Sequence, residues 1–155
     1  MKTQRSQPPV GNDVDPQPYL PISSLPIANP ARVRLGGAND VYEQLSDIRG
    51  EDREHFVVFD LNVRHGVIAR RTVHIGTLTG VEIHPREIFK GAIINSAAAV
   101  IVAHNHPSGD ASPSRADIEM TGRLREVGEL CGIPVLDHVV VALNGYVSLA
   151  ERNWR

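Results

Sequence analysis

The chain has a single cysteine, Cys131, among its 155 residues. One cysteine makes no internal disulfide, which fits a reducing cytoplasm, and it removes every metal site built on several thiolates. Aromatic residues are sparse at 5 %, and charge is nearly balanced, with a formal net charge of -2. That balance leaves no electrostatic footprint for nucleic acid or for an anionic membrane. No apolar run approaches the roughly 18 residues needed to cross a bilayer, so no membrane partner is expected. The opening MKTQRSQPPVGNDVDPQPYLP has no apolar core of the secretory kind, so no signal peptide is expected. Internal repeats are absent too.

Proline is plentiful only at the front, where seven of the eleven prolines fall within the first 30 residues. Proline fixes φ and donates no backbone hydrogen bond. Residues 1–38 therefore read as an extended or partly disordered arm, with Tyr19, Leu20 and Ile22 able to dock its end. Residues 39–155 read as one folded domain. Its 41 % hydrophobic and 22 % charged content is ordinary for a soluble protein.

Within that domain, Asn39 or Asp40 can cap a short helix carrying Val41, Leu45 and Ile48 on one face. HFVVFDL (55–61) reads as a buried strand, and VIARRTVHIG after a polar turn as its β-branched partner. His84-Pro85 opens a helix with Ile88, Phe89, Ala92 and Ile93 along one side, Pro85 suiting a first helical turn. AAAVIVA (97–103) has the continuous apolar character of a central strand covered on both faces. A long helix is expected from about 114 to 130, with Ile118, Thr121, Leu124, Val127 and Cys131 inward, ended by Gly132 and Pro134. VLDHVVVAL and YVSLA read as closing strands joined at Asn144-Gly145. Interleaved strands and helices of this kind predict an α/β or α+β domain, three layers deep, with a mixed sheet between helices.

The central strand ends in His104-Asn105-His106. Residues two apart on a strand share a face, so the two imidazoles project together if the strand runs on through 106, with Cβ atoms about 6.5–7 Å apart. A pair at that spacing can converge on one metal ion. The next ten residues, PSGDASPSRA, are rich in turn formers and can fold back to bring Asp117 to the pair. Two histidines and a carboxylate leave an open position for water, as in catalytic rather than structural zinc sites. The plainer reading gives these residues to turns and caps. Ser114 and Asp117 can form a capping box, or Ser112 can cap with Pro113 in the first turn.

The full pattern is His-x-His-Pro, six residues, Ser114, two residues, Asp117, which resembles the signature of the JAMM (JAB/MPN) metalloproteases. From about residue 40 to 150, through GTLTGVEIHPREIFKGAIINSAAAVIVAHNHPSGDASPSRAD and onward to VLDHVVV, the chain is similar to the RadC-like branch. The resemblance implies a three-layer JAB/MPN-type domain of cytidine-deaminase-like architecture. It implies one zinc ion per chain, bound by His104, His106 and Asp117. It also implies Glu54 as general base, just before the aromatic Phe56, and Ser114 as the hydroxyl that supports an oxyanion. The implied activity is that of a zinc metallohydrolase cutting a peptide or isopeptide bond in a peptide or protein substrate, such as a ubiquitin-like tail. Asn105 stands where many JAMM proteases have serine, and on a regular strand it faces away from the metal.

Other residues carry less. Asp137-His138 reads as a support for a ligand imidazole or as a strand-start hydrogen bond. Asp110 reads as a turn former within reach of the site. His55, His65, His74 and His84 have no ligand spacing, Arg70-Arg71 reads as part of a solvated face, and Cys131 as packed. RadC-like proteins also carry a label of DNA repair, and longer members have an N-terminal helix–hairpin–helix region. Residues 1–38 are too short and too rich in proline to supply it, so the chain resembles the short forms. The alternative function is thus a DNA-associated protein. Zinc deaminases need a Pro-Cys-x-x-Cys pair and are excluded by the single cysteine. The letters HNH do not make a nuclease of that name, whose residues are spread over a hairpin and a helix. A metal-free scaffold is disfavoured by the intact ligand set.

Overall fold

A computed structural model describes residues 33–76 and 83–155. Nearly all of the proline-rich arm, including Tyr19, Leu20 and Ile22, lies outside the described residues. Eight elements follow in order: α1 (Ala38–Glu43), β1 (Glu54–Leu61), β2 (Val67–Gly76), α2 (Pro85–Ile94), β3 (Ala99–Asn105), α3 (Arg115–Cys131), β4 (Val135–Ala142) and β5 (Gly145–Ser148). The strands form one mixed sheet in the order β2-β1-β3-β4-β5. Only β3 and β4 run parallel, with α3 as their crossover, and every other neighbouring pair is antiparallel.

The apolar run before the histidines becomes β3, the middle strand, and all seven of its residues are buried. Its side chains alternate between two cores. Ile101 and Ala103 join Val57, Phe59, Val139 and Val141 beneath Leu35, Val41, Leu45 and Ile48. Val100 and Val102 join Phe56 and Val58 beneath Ile88, Phe89 and Ala92 of α2 and Met120 and Leu124 of α3. The expected three layers are therefore present, with α1 and its turn on one face and α2 and α3 on the other. No helix among the described residues is long and apolar enough to cross a membrane.

Several local expectations are corrected. Helix α1 begins two or three residues earlier than expected, with Gly37 at its N-cap position in place of Asn39 or Asp40, and Asp40 instead accepts the Gly36 N–H at 2.7 Å. Its α-helical part ends at Glu43, yet Leu45 and Ile48 remain buried because tight turns carry them down the same face. The inward stripe of α3 is Asp117, Met120, Thr121, Leu124 and Gly128, whereas Cys131 is exposed and Ile118 only half-buried. Gly128 lies at the tightest point: a Cβ there would come within 2.7 Å of the Ile133 carbonyl, so glycine lets the helix press on the turn leading into β4. The last hairpin turns at Leu143-Asn144, and Gly145 already pairs with Ala142.

Arg70 and Arg71 are not part of a solvated face. Arg71 reaches from β2 to β1, with Nε and Nη2 each 2.7 Å from the carboxylate of the fully buried Asp60, and Nη2 also donates to the Ile88 carbonyl at 2.9 Å. Arg70 is buried as well and forks onto Asp47 at 2.8 and 2.9 Å. Spacing in the sequence could not distinguish these pairs from surface charge, because their partners lie on other elements.

Candidate metal centre

The strand β3 ends at Asn105, but the chain stays on course for one more residue, since the His106 N–H donates to the Val141 carbonyl at 2.8 Å. His104 and His106 thus project from one face, as expected. Ser114 caps α3 and forms the full capping box: its Oγ accepts the Asp117 N–H at 3.1 Å, and Asp117 Oδ2 accepts the Ser114 N–H at 2.7 Å. Of the two capping alternatives, Ser114 with Asp117 is the one formed. The box pins Asp117 in the first turn of α3, against the end of β3.

Three side chains meet there. His104 Nε2 and His106 Nε2 are 3.0 Å apart, His104 Nε2 is 3.4 Å from Asp117 Oδ1, and His106 Nε2 is 3.5 Å from Asp117 Oδ2. Four ligands around a zinc ion at 2.0–2.1 Å have edges of about 3.3 Å. The three observed separations are close to that length. Among the described residues this is the one group of three such side chains whose ligand atoms converge. Asp117 Oδ2 is already occupied by two donors, Ser114 N and Oγ, each at 2.7 Å, which leaves Oδ1 for an ion.

The protons argue the same way. His106 Nδ1 is 2.8 Å from the Asp110 carbonyl, which can only accept, so Nδ1 carries the hydrogen and Nε2 presents its lone pair. That lone pair faces a second imidazole nitrogen beside a buried carboxylate, an arrangement that requires positive charge between the three. In the metal-free protein a proton answers that need. The hydrogen bond to Asp117 raises the pKa of His106 against the opposing effect of burial, helped by the Asp110 carbonyl and the charges of Asp117 and Glu54. Burial works to raise Asp117, but its polar contacts with His104, His106 and Ser114 hold it far below the carboxylate range. The donor set fits a divalent ion of the zinc type, whose binding displaces that proton.

Glu54 opens β1. Phe56 pairs with His104, so continuing that antiparallel register sets Glu54 across from His106 on the same face of the sheet. Its half-buried position and its charge effect on His106 agree with that placement. Phe56 lies beside the site, its ring parallel to His104 at 6.0 Å and edge-on to His138 at 5.6 Å. Asp110 contributes its backbone carbonyl, while its side chain accepts the Ser112 N–H at 2.8 Å and closes the turn. Asp137 accepts from the His138 N–H, the Ala150 N–H and the Ser148 hydroxyl, fastening the end of β5 to β4. His138 points the other way and meets His104 Nδ1 at 2.8 Å.

Asn105 faces away from the metal ligands and performs a task not visible in its spacing. Its Oδ1 accepts the His55 N–H at 2.7 Å and its Nδ2 donates to the Arg53 carbonyl at 3.0 Å. These bonds clamp the backbone on both sides of Glu54, tying the proposed base to the strand that carries the histidines. Asn105→Ala is expected to lower unfolding stability by about 1 kcal/mol, because it removes the partner of two part-buried backbone groups, the His55 N–H and the Arg53 carbonyl. Urea unfolding measures this, and a loss within about 0.5 kcal/mol would show that the clamp carries no strain-free holding energy.

An α+β sheet of this order, with two histidines at the end of its central strand and an aspartate at the start of the following helix, is a JAB/MPN-type domain with a candidate metal centre. The family model described as RadC-like JAB domain matches residues 35–154. The chain belongs to the RadC-like JAB domain family. It is similar to a UPF0758 protein of Desulforamulus reducens, 52 % identical over 108 residues, covering 70 % of this chain and 48 % of the relative. A UPF0758 protein of Geobacillus thermodenitrificans is 44 % identical over 133 residues, covering 79 % and 59 %. One of Rubrobacter xylanophilus is 51 % identical over 124 residues, covering 79 % and 54 %. The chain therefore spans about half the length of the curated relatives it matches.

Proposed function

We propose that this chain is a zinc-dependent hydrolase of peptide or isopeptide bonds, working in a reducing compartment such as the cytoplasm. The JAB domain superfamily includes hydrolases. The observation that carries the reading is the pair of Nε2 atoms facing each other at 3.0 Å beside Asp117. One zinc ion, held by His104, His106 and Asp117 Oδ1, would supply Lewis acidity to a substrate carbonyl and favour ionisation of the attacking water.

The rest of the work falls to the chain. Glu54, across the sheet face from His106, takes the proton of the attacking water and delivers it to the leaving amine. Ser114 supports the oxyanion once its hydroxyl proton turns from Asp117 Oδ2, to which it now donates at 2.7 Å. Phe56 shields His104 from bulk water on one side. The substrate is a peptide or protein, such as a ubiquitin-like tail.

Glu54→Gln tests this reading. It is expected to retain about one zinc per chain and to lose about 10²–10⁴ in turnover on a panel of peptide- and isopeptide-linked substrates. Full turnover by that variant would assign the base to another residue. Salt-sensitive binding to DNA without hydrolysis of any member of the panel would instead favour a DNA-associated role.

A further inference from the structure

His138 sits on β4, where Val102 of β3 is its parallel partner, so it shares the face of His104. It is fully buried and has two ring contacts. Nε2 is 2.8 Å from His104 Nδ1, and Nδ1 is 2.6 Å from Thr121 Oγ1. The Thr121 hydroxyl also lies 2.6 Å from the Asp117 backbone carbonyl, one turn earlier on α3.

The direction of every hydrogen in this chain follows from one acceptor. A carbonyl only accepts, so the single Thr121 proton is donated to Asp117. Thr121 Oγ1 is then an acceptor towards His138, and His138 Nδ1 must carry the hydrogen. The ring nitrogens of the fully buried His138 face Thr121 Oγ1 and His104 Nδ1, neither of them a carboxylate, so nothing balances a charge on the ring; it is neutral and its Nε2 is bare. A bare Nε2 accepts from His104 Nδ1. His104 therefore keeps its hydrogen on Nδ1 and turns the lone pair of Nε2 towards Asp117 and His106.

We propose that Thr121 and His138 are positioning residues, a two-member relay that holds His104 in the tautomer able to bind a metal ion. The relay opposes a real competitor. Asp117 Oδ1 lies 3.4 Å from His104 Nε2 and, in the metal-free protein, would draw the hydrogen to that nitrogen. Only an acceptor on the Nδ1 side resists this, and His138 is an acceptor only because Thr121 takes its other nitrogen's hydrogen. The relay also joins the ligands of two elements. The same Thr121 hydroxyl that holds the Asp117 backbone on α3 sets the state of His104 on β3, through a residue on β4. This inference rests on the proposed metal centre for its consequence, but not for its geometry.

The test compares wild type with His138→Phe, His138→Gln and Thr121→Val in two measurements on the whole chain. Zinc affinity is read by competition with a chromophoric chelator. The tautomer of His104 is read from imidazole ¹⁵N shifts in metal-free protein, above the imidazole titration. His138→Phe keeps the ring volume beside Phe56 but has no acceptor, and is expected to weaken zinc about 10–100-fold. His138→Gln can accept from His104 through Oε1 while donating to Thr121, and is expected to regain most of that loss. Thr121→Val never touches the ion, yet frees His138 to reverse; a loss of about tenfold and a hydrogen on His104 Nε2 are expected.

Equal weakening by Phe and Gln at 138, with the wild-type tautomer kept in Thr121→Val, would reduce both residues to packing and overturn the relay. Wild-type affinity in both His138→Phe and Thr121→Val would overturn it as well. If wild type itself fails to bind zinc, the metal reading falls, and the ¹⁵N spectra still decide the relay: a hydrogen on His104 Nε2 in wild type refutes it. Should His138→Phe not fold, Thr121→Val carries both measurements.

Discussion

Asp117→Asn is expected to abolish stoichiometric zinc while leaving the fold in place. Asparagine keeps the shape of the side chain and an oxygen for the Ser114 N–H, and the backbone N–H of residue 117 still reaches Ser114 Oγ, so the start of α3 retains its capping box. What it loses is the negative charge and the oxygen, Oδ1, that stands 3.4 Å from His104 Nε2. Structural zinc sites bind with about 10–16 kcal/mol over four ligands, so one ligand accounts for about 3–4 kcal/mol, or about 10²–10³ in affinity. Metal analysis of dialysed protein should therefore fall from about one zinc per chain to near none. Tight, stoichiometric zinc in the variant would remove Asp117 from the ligand set and break the match between the convergent triad and a tetrahedral ion.

The second large effect concerns stability and lies away from the metal. Arg71→Met is expected to cost about 3–5 kcal/mol, because it leaves the buried Asp60 carboxylate without its cation. Asp60 is fully enclosed, held by Arg71 through two bonds and by Asn95 Nδ2 at 2.7 Å. Arg71 reaches on to the Ile88 carbonyl, so one guanidinium ties β2, β1 and the first turns of α2 together. Gly91 belongs to the same arrangement, since a side chain there would collide with the guanidinium. Urea unfolding should show the loss, and the double variant Arg71→Met with Asp60→Leu should recover much of it, because an apolar pair leaves no buried charge unpaired. A single variant as stable as wild type would mean that water reaches Asp60.

Both predictions start from residues that a reader of the sequence meets differently. Asp117 stands in a pattern with fixed spacing, and the capping chemistry of Ser114 and Asp117 is a short-range signal. Arg71 is one of two adjacent arginines in β2 and offers no such signal. Its partner Asp60 lies eleven places earlier on the neighbouring strand, and the two meet on a diagonal of the β1–β2 register, in which Arg71 pairs with Val58 and Asp60 with Ala69. Cys131 makes the same point. Helical periodicity turned it inward, but it is the last residue of α3 and is exposed, whereas Gly128, one turn earlier, is the residue pressed on the turn before β4.

The amino-acid sequence by itself determined the central strand, the shared face of His104 and His106, the helix start that carries Asp117, and the layered α+β class. These are short-range properties. The two-residue period of a strand and the N-terminal capping of a helix are set by covalent geometry over a few residues, so they can be read without knowing any partner. Only the tertiary structure decided which groups surround those ligands. Glu54 comes opposite His106 through the β1–β3 register, Asn105 clamps the backbone beside it, and His138 reaches His104 because β3 and β4 run parallel. Such neighbours are 34 to 52 residues apart in the chain. Their meeting depends on strand order and register, which arise from the burial of two whole cores rather than from any local pattern.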